Sequence, residues 1–273
     1  MQLVLTRPSR RPAVARALVF IDESGRFCTP TPHCPVERPL VASVAFRDVP
    51  ANRERIASVA AELRRRHGPT VKGNSLTESD YELVTTLVRD AGYVCWSGVE
   101  YADDHPQACR AMLRGLSETL QRSGARVDPD LRVTGAIRRT REQLAHADST
   151  NLAAYTVQVL HLLRMIVRWL RRGGFVPDLR VTFDERLRSA DVDLVRFLPR
   201  FAVAVEFPEY FGTRLSEVWA ASPEITATVS SDEACDGLIL ADAIAFAAGR
   251  VVQLRDPEGL YAARLAACQR VRD

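Results

Sequence analysis

Lysine is almost missing from this chain. Of its 37 basic residues one is lysine, Lys72, and the rest are arginine. Codon bias accounts for most of such a skew. It does not account for the one position that keeps a compact ammonium in place of a planar guanidinium fork, so Lys72 is a candidate site residue as well as a candidate ordinary surface lysine. An excess of charge is missing too. A formal net charge of +3 excludes a general basic coat for nucleic acid, and any backbone binding would need local patches. Long apolar runs are absent. The most apolar segment, residues 151–170, is broken by His161, Arg164 and Arg168 and lacks the ~20 uninterrupted apolar residues of a membrane span. It reads as a buried helix, and no membrane role is expected. The six cysteines, Cys28, Cys34, Cys95, Cys109, Cys235 and Cys268, contain no CxxC pair. The opening Met1-Gln-Leu-Val-Leu-Thr-Arg-Pro8 has too short an apolar run for a signal peptide, so reduced thiols and a cytoplasmic location are expected. Cys28, His33 and Cys34 fall short of a full zinc set. There is no Gly-x-x-x-x-Gly-Lys loop, no dinucleotide fingerprint, and no histidine in a setting that suggests a Ser-His-Asp hydrolase.

What is present suits one folded domain. The chain has 273 residues, 47% of them hydrophobic, enough for a substantial core. Residues 1–16 are rich in Arg and Pro and read as a flexible arm, with a single α/β domain over 17–273. Short apolar runs at 17–21, 40–46, 93–100, 179–183 and 225–229 read as strands. Helices are expected at 52–66, from Thr77 (a plausible N-cap) to 91, and at 106–123, 151–172, 191–205 and 237–254. Strands separated by helices make the class mixed α/β, a mixed sheet flanked by helices.

Three carboxylates stand out by their settings. Asp22 follows the five apolar residues Ala17-Leu-Val-Phe-Ile21, and Asp184 follows Leu179-Arg-Val-Thr-Phe183. Functional groups of α/β sheets gather at such strand ends, although an aspartate there can also cap a turn. Asp242 lies inside Leu238-Ile-Leu-Ala-Asp-Ala-Ile-Ala-Phe-Ala-Ala248, a helix apolar nearly all round and therefore buried. A carboxylate there is costly unless it meets a metal, several donors or a buried arginine. Together, two strand-end aspartates and one on a late helix form an oxygen-only set suited to Mg²⁺ or Mn²⁺. Two such ions could activate a water and stabilise the leaving oxygen of a phosphodiester. Glu23 adjoins Asp22 but would face the other way in a regular strand. Arginine clusters at 64–66, 138–141 and 164–172 could track a phosphate backbone, the last of them alternatively complementing a helix end.

The motifs Phe20-Ile-Asp-Glu-Ser-Gly25, Val71-Lys-Gly-Asn-Ser75, Val181-Thr-Phe-Asp-Glu185 and Gly237-Leu-Ile-Leu-Ala-Asp-Ala-Ile-Ala245 come in the order seen in a bacterial family. The chain resembles that family, catalogued as domain of unknown function 3800, over roughly residues 18–252. The first and last motifs are fairly specific and the middle two weak. The resemblance implies a ribonuclease H-like fold, action on nucleic acid, and acidic positions at Asp22, Asp184 and Asp242 with Glu23 and Lys72 beside them. Two departures stand out. Thr70 occupies a position where many members carry glutamate, which leaves a fourth carboxylate missing or supplied by Glu23, Glu185 or Asp236. Ile239 replaces the usual glutamine of the last helix.

The expected function is a Mg²⁺- or Mn²⁺-dependent nuclease acting on RNA or DNA, with Asp22, Asp184 and Asp242 as metal ligands and Glu23 and Lys72 as further catalytic residues. The alternative is a non-catalytic module of the same fold that binds nucleic acid or protein. A phosphatase with an aspartate nucleophile ranks below both, because Ser24 stands where its second aspartate would be.

Overall fold

The computed structural model describes residues 14–25, 39–98, 111, 150–172, 176–184, 198–199, 202–203, 206 and 226–268. Five strands form one mixed sheet: β1 (Val14–Ser24), β2 (Leu40–Arg47), β3 (Gly92–Gly98), β4 (Val176–Asp184) and β5 (Thr226–Ser230), in the order β3-β2-β1-β4-β5. β1 pairs antiparallel with β2, and β2 with β3. On its other side β1 pairs parallel with β4, and β4 with β5. The C-terminal ends of β1, β4 and β5 therefore share one edge of the sheet, where α/β proteins collect their functional groups.

Helices cover both faces. One face is covered by α1 (Pro50–His67), α2 (Glu78–Ala91), α4 (Asp236–Val252) and α5 (Leu260–Cys268), and the other by α3 (Thr150–Arg172). Strand alternation sorts the side chains between them. Ala17, Val19 and Ile21 of β1 pack with Leu179, Val181 and Phe183 of β4 against the α3 layer. Phe20 packs with Leu40, Ala42, Val44 and Phe46 of β2 against the α4 layer.

α4 lies across β1 and β2. Two glycines let it come close: a Cβ at Gly237 would fall 2.3 Å from the Phe20 ring, and one at Gly249 would fall 2.2 Å from Ser24 Oγ. Leu238, Leu240 and Ile244 are fully buried and contribute roughly 1.5–3 kcal/mol each. Together they offset the several kcal/mol that burying an ionised Asp242 in the same helix costs.

The expected elements that fall on described residues are present, with shifted ends. β1 begins at Val14, so residues 14–16 belong to the sheet rather than to an arm. Arg16 Nε donates to Asp178 at 2.8 Å and ties the two parallel strands together there. Asp22 lies inside β1 rather than after it. The segment after Lys72 is a 3₁₀ turn, Gly73–Ser75. Thr77 does cap α2: its Oγ1 accepts from Asp80 N at 3.4 Å while Asp80 Oδ2 accepts from Thr77 N at 2.9 Å, a reciprocal capping box. The expected helix at 106–123, the 138–141 arginines, Cys28, His33, Cys34, Glu185 and most of 191–205 lie outside the described residues. No helix among the described residues is long and apolar enough to cross a membrane.

Candidate functional site

Register brings the strand-end aspartates together. Ile21 and Phe183 are paired across β1 and β4 and both face α3, so the following residues, Asp22 and Asp184, turn to the α4 face. Asp242 meets them from the helix. Asp22, Asp184 and Asp242 are all buried. Asp22 is pushed up to about 9, first by burial and then by the negative charges of Asp242, Glu23 and Asp184. Asp242 is also raised, again by burial first, while the hydrogen bond from the Gly73 amide and the charge of Lys72 work against the rise. The physical content is a crowded carboxylate pair that holds a proton where a cation is lacking.

The donors around the pair are main-chain amides. Asp22 Oδ1 accepts from Glu23 N at 2.7 Å, and Asp242 Oδ2 accepts from Gly73 N at 2.5 Å. Asp22 Oδ2 is buried and meets no donor among the described residues. The turn at Gly73 is held in place by Tyr81, whose hydroxyl donates to Gly73 O and to Ala243 O, each at 3.2 Å. A Cβ at Gly73 would fall 2.7 Å from Phe246 Cβ and 2.9 Å from Asp242 O, so this close approach requires glycine.

Lys72 stands at the same place and is bonded to Asp232. Sequence reasoning missed Asp232. It follows β5 by two residues and is buried, and its charge bears on Asp242. Its other oxygen, Oδ1, meets no donor among the described residues. Arg64 fixes the turn that carries it, donating to Asp232 O at 3.0 Å and pairing with Asp236. Thr70 Oγ1, at the position expected to lack a carboxylate, donates to Glu233 Oε1 at 2.7 Å.

Other expected members do not join. Glu23 continues the alternation of β1: it pairs in register with Val41, a residue of the α3 side, while Ser24 turns to Gly249 on α4. Its side chain therefore points away from the aspartates. Asp236 is committed to Arg64. Most arginines of the 64–66 and 164–172 clusters are engaged within the protein. Arg65 and Arg66 bind Glu62, Arg66 also binds Asp80, and Arg164 and Arg168 bind Glu206. They are not an open track for phosphates.

The donor set is oxygen-only, carboxylate-rich and carries unsatisfied buried oxygens, which fits a hard divalent ion. In the conformation seen, no group of three or more His, Cys, Asp or Glu side chains among the described residues is gathered tightly enough to hold an ion by itself. Mg²⁺ commonly takes only one or two protein carboxylates and fills the rest with water or substrate oxygens. The chain matches no model of a known protein family and no curated protein.

Proposed function

We propose that this chain is a divalent-metal-dependent nuclease of ribonuclease H-like fold, belonging to the family catalogued as domain of unknown function 3800, and that it acts in the cytoplasm on RNA or DNA. The fold half of the reading is supported by the sheet. A three-strand antiparallel meander continues from its first strand into two parallel strands, with helices on both faces. The chemical half rests on one observation: Asp22 and Asp242 face each other, buried, from β1 and α4, with an oxygen of Asp22 lacking any donor among the described residues.

In this reading Asp22, Asp242 and Asp184 hold Mg²⁺ or Mn²⁺. The metal supplies Lewis acidity toward phosphodiester oxygens and a water acidic enough to attack near neutral pH. The chain's own residues do the rest. The amides of Glu23 and Gly73 fix one oxygen of each carboxylate and leave the other to face the ion. Lys72, with its side chain 39% exposed, carries a compact positive charge to where phosphate oxygens arrive. Purified protein with Mn²⁺ should cut RNA, DNA or a hybrid, and Asp22→Asn should abolish the cutting. Cleavage that survives this change, or that persists in chelator, overturns the proposal.

A non-catalytic binding module is favoured by a different observation, the seating of Lys72 on Asp232 without a tight cage of three ligands. Calorimetry separates the two: the nuclease reading expects Mn²⁺ to bind below millimolar, and the module expects no binding.

A further inference from the structure

Asp232 has no part in the reading above, yet it occupies the same edge of the sheet. β5 runs parallel to β4 with Ser230 opposite Asp184, and the chain then turns, with Ala234 N and Cys235 N donating to Ser231 O at 3.1 and 3.0 Å. Asp232 thus stands at the end of the third parallel strand, as Asp184 does at the second and Asp22 near the end of the first. It is 4% exposed. One of its oxygens takes the Lys72 ammonium, and the other is buried with no donor among the described residues. A buried carboxylate left half satisfied is expensive. Its main chain is nonetheless pinned by Arg64 and its neighbour Glu233 by Thr70, so the turn is built to hold it there.

We propose that Asp232 is the fourth carboxylate of the metal site and that Lys72 is its counter-ion in the metal-free protein, displaced when a second divalent cation enters. This rests on the metal-site reading and goes beyond it by assigning both the missing ligand and the charge that occupies its place. Lys72 suits the role. Its ammonium is a point charge on a flexible stem with three donors, so it can leave Asp232 for a substrate phosphate without the loss of a bidentate fork. Lys72 and Gly73 are adjacent, so the same turn carries the charge on Asp232 and the amide on Asp242.

The test is a Mn²⁺ titration in which bound ions are counted by electron paramagnetic resonance, with melting temperature recorded alongside. The wild type should bind two Mn²⁺ per chain, and Asp232→Asn should bind one. Lys72→Gln should melt lower than wild type without metal and gain more from Mn²⁺, binding its weaker ion about fivefold tighter or more because no ammonium competes for Asp232. Two ions bound by Asp232→Asn at unchanged affinity overturn the proposal while leaving the metal reading intact, provided that Asp22→Asn loses binding. A Lys72→Gln protein that binds Mn²⁺ more weakly than wild type also overturns it, since lysine would then support the site rather than compete. Absence of Mn²⁺ binding to the wild type ends both readings.

Discussion

The main-chain N–H of Gly73 donates to Asp242 Oδ2 at 2.5 Å, so a turn from the segment before α2 reaches a carboxylate buried in the middle of α4. The bond holds one oxygen of Asp242 in place beside Asp22. It depends on a bare Cα, because an added Cβ would meet both Phe246 and the main chain of Asp242.

Gly73→Ala is therefore expected to push the turn off α4. Overpacking of this kind costs about 1–3 kcal/mol, and the protein should also lose Mn²⁺ affinity as Asp242 loses its donor. Urea denaturation together with Mn²⁺ calorimetry checks it. An alanine variant with wild-type stability and affinity would mean that the turn has slack the geometry does not suggest.

Metal-free stability should fall as pH rises. Asp22 is raised from its ordinary 3.8 to about 9. Between those values the folded protein keeps a proton that the unfolded chain has released. The stabilisation is thus complete below about pH 4 and is lost on the way to pH 9, at no more than about 1.4 kcal/mol per pH unit for one proton. Saturating Mn²⁺ should flatten the slope by taking the proton's place. Urea midpoints from pH 5 to 8, with and without Mn²⁺, measure it, and a flat metal-free profile would contradict the crowding of Asp22 against Asp242.

Asp22→Asn should be more stable than wild type without metal, by about 0.5–2 kcal/mol at neutral pH, while losing cleavage. The amide is neutral without having to bind the proton that folding forces on Asp22 at this pH, and it offers a donor where Asp22 Oδ2 has none among the described residues. Thermal melts in chelator show the gain. A destabilised variant would mean that Asp22 is satisfied in a way not seen here.

Asp80 has the opposite pH signature. Its carboxylate is buried, accepts from Thr77 and Arg66, and meets His67 Nε2 at 2.7 Å. Burial works against it, but these bonds win and hold it well below its ordinary value of 3.8. Its contribution is present above about pH 4 and is lost as pH falls further. Asp80→Ala should cost about 3 kcal/mol, combining a lost cap with a broken buried pair. Mn²⁺ affinity should be nearly unchanged, because Asp80 belongs to the cap of α2 and not to the acidic site.

Much of the site could be read from local sequence because the signals were local. A single carboxylate in Leu238–Ala248 contradicts the burial its neighbours demand, and Asp22 and Asp184 interrupt apolar runs. Thr77 with Asp80 spells its own cap. Asp232 could not be found this way. Ser230-Ser-Asp-Glu-Ala-Cys235 reads as a polar turn, and its importance arises only when β5 pairs with β4 and the turn meets Lys72, a contact 160 residues away in sequence. The two arginine clusters on described residues, 64–66 and 164–172, were hard to judge for a related reason. Arg64, Arg164 and Arg168 look available until Asp236 and Glu206 are folded against them. Residues 14–16 looked like a tail because Arg and Pro dominate the segment before them, whereas parallel pairing with 176–178 recruits them. Glu23 was expected among the catalytic residues, which needed the turn to bring it round; β1 instead stays regular through Ser24, and alternation sends Glu23 to the other face.

Gly237 and Gly249 press α4 onto β1 at two points roughly 18 Å apart along the helix axis. The gap between Asp22 and Asp242 is consequently set by the α4 backbone seated on the Phe20 ring and the Ser24 side chain, which leaves the two acids little room to adjust. Lengthening either acid by one methylene should then fail to rescue function, even though glutamate keeps the charge. On the metal reading, exchanging Mg²⁺ for Mn²⁺ should disturb the site less than lengthening either acid.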